Sequence, residues 1–165
     1  MKKILKELKP YILIVIVVVL IRTFIVTPVI VVGDSMVPTL RNRQILLLDK
    51  VKYVFKDISR FDVVVIKTKK SEIIKRIIGL PGEMVEYKDS ILYIDGHEVI
   101  SDFNFDTEDF SLHDIGNYKK IPKDKYLVLG DNRYVSADSR IIGLIDKKDI
   151  EGQTKISIWP IKKVK

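Results

Sequence analysis

Cysteine is absent from the 165-residue chain, which excludes a disulfide framework, a thiol nucleophile and any thiolate metal site. Histidine is scarce. Only His97 and His113 occur, without the i, i+4 spacing and companion ligands of a zinc helix, so no metal site is expected. Internal repeats and low-complexity tracts are lacking, and no sustained 3.6-residue period follows Val32. An excess of one charge is lacking where it would matter. The formal net charge is +7, but Lys2, Lys3, Lys6, Lys9 and Arg22 against Glu7 account for most of it. Residues 28–165 hold 24 basic and 21 acidic side chains. That balance, with no basic stripe interleaved with aromatics, gives no phosphate-tracking surface, and nucleic acid is not an expected partner.

What the chain does have is one long apolar run near its start. PYILIVIVVVLIRTFIVTPVIVV occupies 10–32, with Arg22 as its only charge. As a helix, Leu8 to Val26 would be about 28 Å long, close to the thickness of a bilayer core. A buried strand would suit the β-branched residues, but Tyr11 to Ile21 is long for a strand. Arg22 would sit near the end of such a span, where its side chain can snorkel. A cleaved secretory signal fits a basic start followed by an apolar run, but this run exceeds the usual signal core and no small-x-small site follows. The expectation is therefore residues 1–9 cytoplasmic, a transmembrane anchor at 10–27 and an extracytoplasmic body at 28–165, oriented by the lysines ahead of the span.

The body is long enough for one domain. It reads as short β-rich runs broken by turns: Gln44 to Asp49, Phe61 to Lys67, Glu72 to Ile78, Met84 to Tyr87, Ile91 to Ile94, Tyr126 to Leu129 and Ile156 to Trp159. Asp95-Gly96, between ILYI and HEVI, is a two-residue hairpin signal because both residues tolerate positive φ. The expected fold is mainly β, antiparallel sheets forming a compact domain behind one N-terminal helix. Ser101 to Lys120 is polar and reads as a long loop or insertion.

Without thiols or metal ligands, the available nucleophiles are Ser, Thr, Lys and carboxylates. His97 follows a hairpin turn and His113 lies in the polar segment, both placements of solvated residues, so a serine nucleophile would need a different base. In Glu72-Ile73-Ile74-Lys75-Arg76-Ile77-Ile78, strand alternation puts Ile73, Lys75 and Ile77 on one face and Glu72, Ile74, Arg76 and Ile78 on the other. Desolvation among isoleucines would lower the Lys75 pKa and free a neutral amine. The alternative is that one of the two adjacent cations reaches solvent while the other pairs with Glu72.

Four segments in order behind an apolar start, GDSMVPTL at 33–40, FDVVV at 61–65, KRIIGLPGE at 75–83 and GDNRYVSADSR at 130–140, resemble the bacterial type I signal peptidases, or leader peptidases. The short stretch between the second and fourth resembles the compact Gram-positive forms. The resemblance implies a membrane-bound serine endopeptidase that cuts signal peptides from exported preproteins after small-x-small sites such as Ala-x-Ala, using no cofactor. It implies Ser35 as nucleophile and Lys75 as general base, Ser136 orienting the lysine, and Asp138 with Arg140 bracing the site. Substrate-pocket walls would come from Val29, Val31, Met36, Leu40 and Ile74. Where some members carry a serine that serves the oxyanion hole, this chain has Gly33, which leaves the Ser35 backbone N–H as the candidate donor. Implied partners are preproteins, the lipid bilayer and the secretion translocon. A specialised pilin-type processing peptidase and a catalytically silent, membrane-tethered binding module are the competing functions.

Overall fold

The computed structural model describes residues 2–103 and 105–164. The chain opens with helix α1 (Lys2–Phe24), then β1 (Val26–Ile30), β2 (Ile45–Asp49), the one-turn α2 (Lys52–Phe55), β3 (Val63–Lys67) and β4 (Glu72–Gly79). Next come β5 (Val85–Lys88), β6 (Ile91–Ile94), β7 (His97–Glu98), β8 (Phe110–Ser111) and the short α3 (Leu112–Gly116). The remainder is β9 (Lys125–Leu129), α4 (Ser139–Ile142), β10 (Ile145–Asp146), β11 (Ile150–Trp159) and β12 (Ile161–Lys163).

Among the described residues the strands form two antiparallel sheets. The larger runs β1-β2-β11-β3-β4-β9-β10, with β12 added to β11, and the smaller runs β7-β6-β5-β8. The mainly β, antiparallel expectation therefore holds. β11 is longer than the sequence pattern suggests, because its first half contains buried polar side chains, Gln153 and Thr154, that break the apolar signal. It pairs with β2 on one side and β3 on the other.

The alternation in β4 is as read. Ile73 and Ile77 pack in one cluster with Val64, Ile66, Tyr126 and Val128, whereas Ile78 joins Val85, Tyr87, Leu127 and Leu129 beneath the small sheet. Asp95 and Gly96 take positive φ and close the β6–β7 hairpin. Asp89 and Ser90 do the same between β5 and β6, a turn whose serine gives no sequence signal. The polar segment 101–120 is an insertion with structure of its own. It supplies β8 to the small sheet and buries Thr107 and Leu112.

The apolar run divides between two elements. Its helix ends at Phe24, and Val26 and Thr27 already pair with Asp49 and Leu48 in the sheet. Positions 8–20 are helical with every side chain exposed, while the side chains of Lys2, Lys3, Lys6 and Arg22 lie outside the described residues. Among the described residues no helix is long and apolar enough to cross a membrane.

Candidate active site

Lys75 and Arg76 both point inward, on opposite faces of β4, with 3% and 0% of their surfaces exposed. Arg76 does not turn to the exposed Glu72. Its Nε and Nη2 donate to the two carboxylate oxygens of Asp131 at 2.8 and 2.6 Å, and neither side chain of the pair is exposed. Its Nη1 donates to the Phe61 carbonyl at 2.9 Å, and the guanidinium lies 3.9 Å from the centre of the Phe103 ring. The guanidinium is thereby neutralised by a buried carboxylate.

Lys75 faces Ser35, which sits on the turn after β1. Its Nζ is 2.7 Å from Ser35 Oγ. Burial drives the Lys75 amine below the ordinary lysine range, because the low-dielectric surroundings disfavour the ammonium; Asp138 and Asp131 oppose this weakly enough that the lowering prevails. The turn is fixed from beneath by Met36 and Leu40, packed with Val31, Leu46 and Val63. Gly33 has φ +85°, and a Cβ there would meet nothing. Glycine at this position therefore serves the left-handed backbone and not a close approach by a neighbour.

The loop after β9 closes the opposite side. Asn132 N donates to the Ser35 carbonyl at 3.0 Å. A Cβ on Gly130 would collide with both that carbonyl and Ser136 Oγ, so Ser35 and Ser136 crowd the same stretch of backbone. Ser136 Oγ is buried without a hydrogen-bond partner among the described residues; the bond to the lysine that the resemblance implied is not made here. Asp138, fully buried, accepts from the Gly130 N–H at 3.0 Å and from Arg140 Nε at 2.9 Å and Nη2 at 3.0 Å. The Asp138–Arg140 brace thus holds Gly130 directly.

A groove of about 460 Å³ runs from this pair, lined by residues 27–32, Ser35, Met36 and 72–75. Val29, Val31, Met36 and Ile74 line it. Leu40 does not: it is completely buried in the cluster below Val31 and Met36 and supports the wall without forming it. β4 pairs with β9 only from Arg76 onward, and β1 pairs with β2 alone. Each side of the groove therefore presents a strand edge. The sequence reading missed Asp131 as the partner of Arg76. Alternation was the available signal, since two adjacent cations on a strand buried on both faces each need their own partner.

Residues 4–159 match the family described as Signal peptidase, peptidase S26, and the chain belongs to it. Its particular relatives are bacterial. It is 40% identical over 168 residues to signal peptidase I P of Bacillus subtilis subsp. natto, covering 96% of this chain and 90% of the relative. It is 40% identical over 157 residues to signal peptidase IB of Staphylococcus aureus, covering 86% and 82% respectively. The crystal structure of a signal peptidase I from Enterococcus faecalis superposes with a TM-score of 0.55 at 36% identity, over 59% of this chain and 97% of that one.

Proposed function

We propose that Ser35 and Lys75 form the catalytic dyad of a membrane-anchored endopeptidase that removes signal peptides from exported preproteins after small-x-small sites. The observation that carries this reading is the 2.7 Å approach of Ser35 Oγ to a buried amine whose pKa is lowered. At pH 7 only about one free lysine in 2500 is neutral, so the burial is what makes a base available. Neutral Lys75 takes the Ser35 proton as Oγ attacks the scissile carbonyl, and the resulting ammonium protonates the departing amine. Water, deprotonated in turn by Lys75, then releases the acyl group from Ser35. The Ser35 backbone N–H is the oxyanion donor, and Asp138 with Arg140 holds Gly130 behind the pair, with Ser136 against that glycine.

The two strand edges support the substrate assignment. An extended peptide laid between β1 and β4 would hydrogen-bond through its backbone and point alternate side chains into the groove. Those two side chains would meet Val29, Val31, Met36 and Ile74, where small residues fit and bulky ones clash.

In this reading the anchor lies in the helix that ends at Phe24, with 1–9 its cytoplasmic end, and the chain from β1 onward is the extracytoplasmic catalytic domain, with the translocon as a neighbour. A row across the large sheet supports a lipid surface: Ile30 pairs with Ile45 and Ile45 with Trp159. Ile30, Trp159 and the nearby Ile161 are exposed, beside Lys162 and Lys163. Exposed isoleucine and tryptophan flanked by lysine suit an interface with lipid headgroups.

The test is to incubate purified protein with a preprotein bearing Ala-x-Ala and map the cut. Cleavage should follow the second Ala, and replacing that Ala by Phe should stop it. In intact protoplasts, added protease should reach residues beyond Pro28 but not 1–9. Cleavage indifferent to the Phe replacement would remove the assigned specificity, and the reverse accessibility the assigned topology.

The lowered Lys75 pKa fixes the sign of a pH effect. Below that pKa the amine carries a proton and cannot accept another, so kcat/KM should rise with pH and level off well short of the ~10.4 of free lysine. Ile73→Glu, which adds a carboxylate on the Lys75 face, should stabilise the ammonium and move the acidic limb to higher pH. A folded Ile73→Glu with an unmoved limb would detach the limb from Lys75.

A further inference from the structure

The segment 105–107 of the polar insertion reaches across from the small sheet to the loop that closes the dyad. Arg133, 4% exposed, is the link. Its Nε donates to the Gly130 carbonyl at 3.0 Å and its Nη1 to Thr107 Oγ1, with the guanidinium over the rings of Tyr87 and Phe105 at 5.1 and 5.5 Å. Thr107 is itself fixed. Its hydroxyl donates to the Phe105 carbonyl, and its N–H donates to Ser90 Oγ at 3.0 Å. Ser90 Oγ donates in turn to Asp106 at 2.9 Å, and the other Asp106 oxygen accepts from the Tyr134 hydroxyl.

Gly130 is thus gripped at both peptide units, by Asp138 at its N–H and by Arg133 at its carbonyl. The same glycine backs directly onto Ser136 Oγ and the Ser35 carbonyl. Resting on the Ser35–Lys75 reading, we infer that Thr107 is a positioning residue for the dyad, acting through Arg133 and Gly130, and that segment 105–107 straps the small sheet to the active-site loop.

Burial sets the direction of the Lys75 shift, and the charged groups that oppose it are Asp138, paired with Arg140, and Asp131, paired with Arg76 on the far face of β4. Neither pair includes Thr107, so its effect would come through packing and water entry. Loosening the loop would admit water to the amine, relieve its desolvation and move the acidic limb toward higher pH.

Thr107→Val keeps the shape and removes the hydroxyl. It should lower kcat by about tenfold to a hundredfold, the scale of an ångström misplacement, leave KM within twofold and raise the limb, while Thr107→Ser restores both. Tyr134→Phe, an exposed and charge-neutral change, loosens the same strap; it should shift the limb the same way by less, and it decides the matter if Thr107→Val fails to fold. A folded Thr107→Val or Tyr134→Phe with the wild-type limb and kcat overturns the strap, even where its melting temperature falls. Ser35→Ala assayed alongside keeps the readings apart: activity surviving there overturns the dyad, whereas a dead Ser35→Ala beside unaltered strap variants overturns the strap alone.

Discussion

Ser35→Ala and Lys75→Ala should each reduce cleavage by at least ~10⁴-fold while leaving the fold intact, because groups that act in one proton-transfer step fail as a unit. The double variant should be no worse than either single one. Lys75→Arg should be equally inactive, since a guanidinium stays protonated and cannot act as a base. Turnover assayed with enzyme free of wild-type background checks this, and substantial activity in any of these variants would remove the dyad. Circular dichroism should show unchanged β content. Lys75→Met is the most informative control: it preserves the volume next to Ile73 and Ile77 and removes only the amine.

Asp131→Ala should produce the largest loss of stability. It strips the Arg76 guanidinium of its carboxylate in a site where neither partner is exposed. Among the described contacts, the Phe61 carbonyl, Thr39 and the Phe103 ring still touch the guanidinium, and none of these three carries a charge. Removing one partner of a buried pair costs about 3–5 kcal/mol, a large part of the 5–15 kcal/mol that holds a typical domain together. At 2–4 °C per kcal/mol for this size, the melting temperature should fall by ~10 °C. Arg76→Met combined with Asp131→Leu should recover most of that, because the penalty belongs to the stranded charge and not to the lost attraction. A thermal melt of the three variants decides it. If the double variant melts no higher than Asp131→Ala, Arg76 owes its place to its other contacts.

Much of the site was legible in the sequence because strand alternation is a strong local rule. It put Lys75 on a face with Ile73 and Ile77, and the structure keeps all three there. The same rule says that Arg76 must be buried on the other side, but not with what. Asp131 is distant in sequence, and only the antiparallel pairing of β4 with β9 brings it alongside. Leu40 reads as a pocket wall from its position in the GDSMVPTL segment; the turn rotates it beneath the wall. The insertion at 101–120 reads as solvated from its many carboxylates. Its structural content lies in two residues, Thr107 and Leu112, whose burial depends on a second sheet with no sequence signal of its own.

The place of β11 has a consequence for when the enzyme becomes active. Ser35 lies next to β1 and β2, Lys75 lies on β4, and the large sheet joins these halves only through a strand drawn from residues 150–159. Serine and lysine are 40 residues apart in sequence, yet the hydrogen-bonded sheet between them closes only when that late strand is added. Such non-local pairing makes assembly slow compared with local hairpin closure. On the proposed Ser35–Lys75 dyad, activity should therefore wait for residues 150–159.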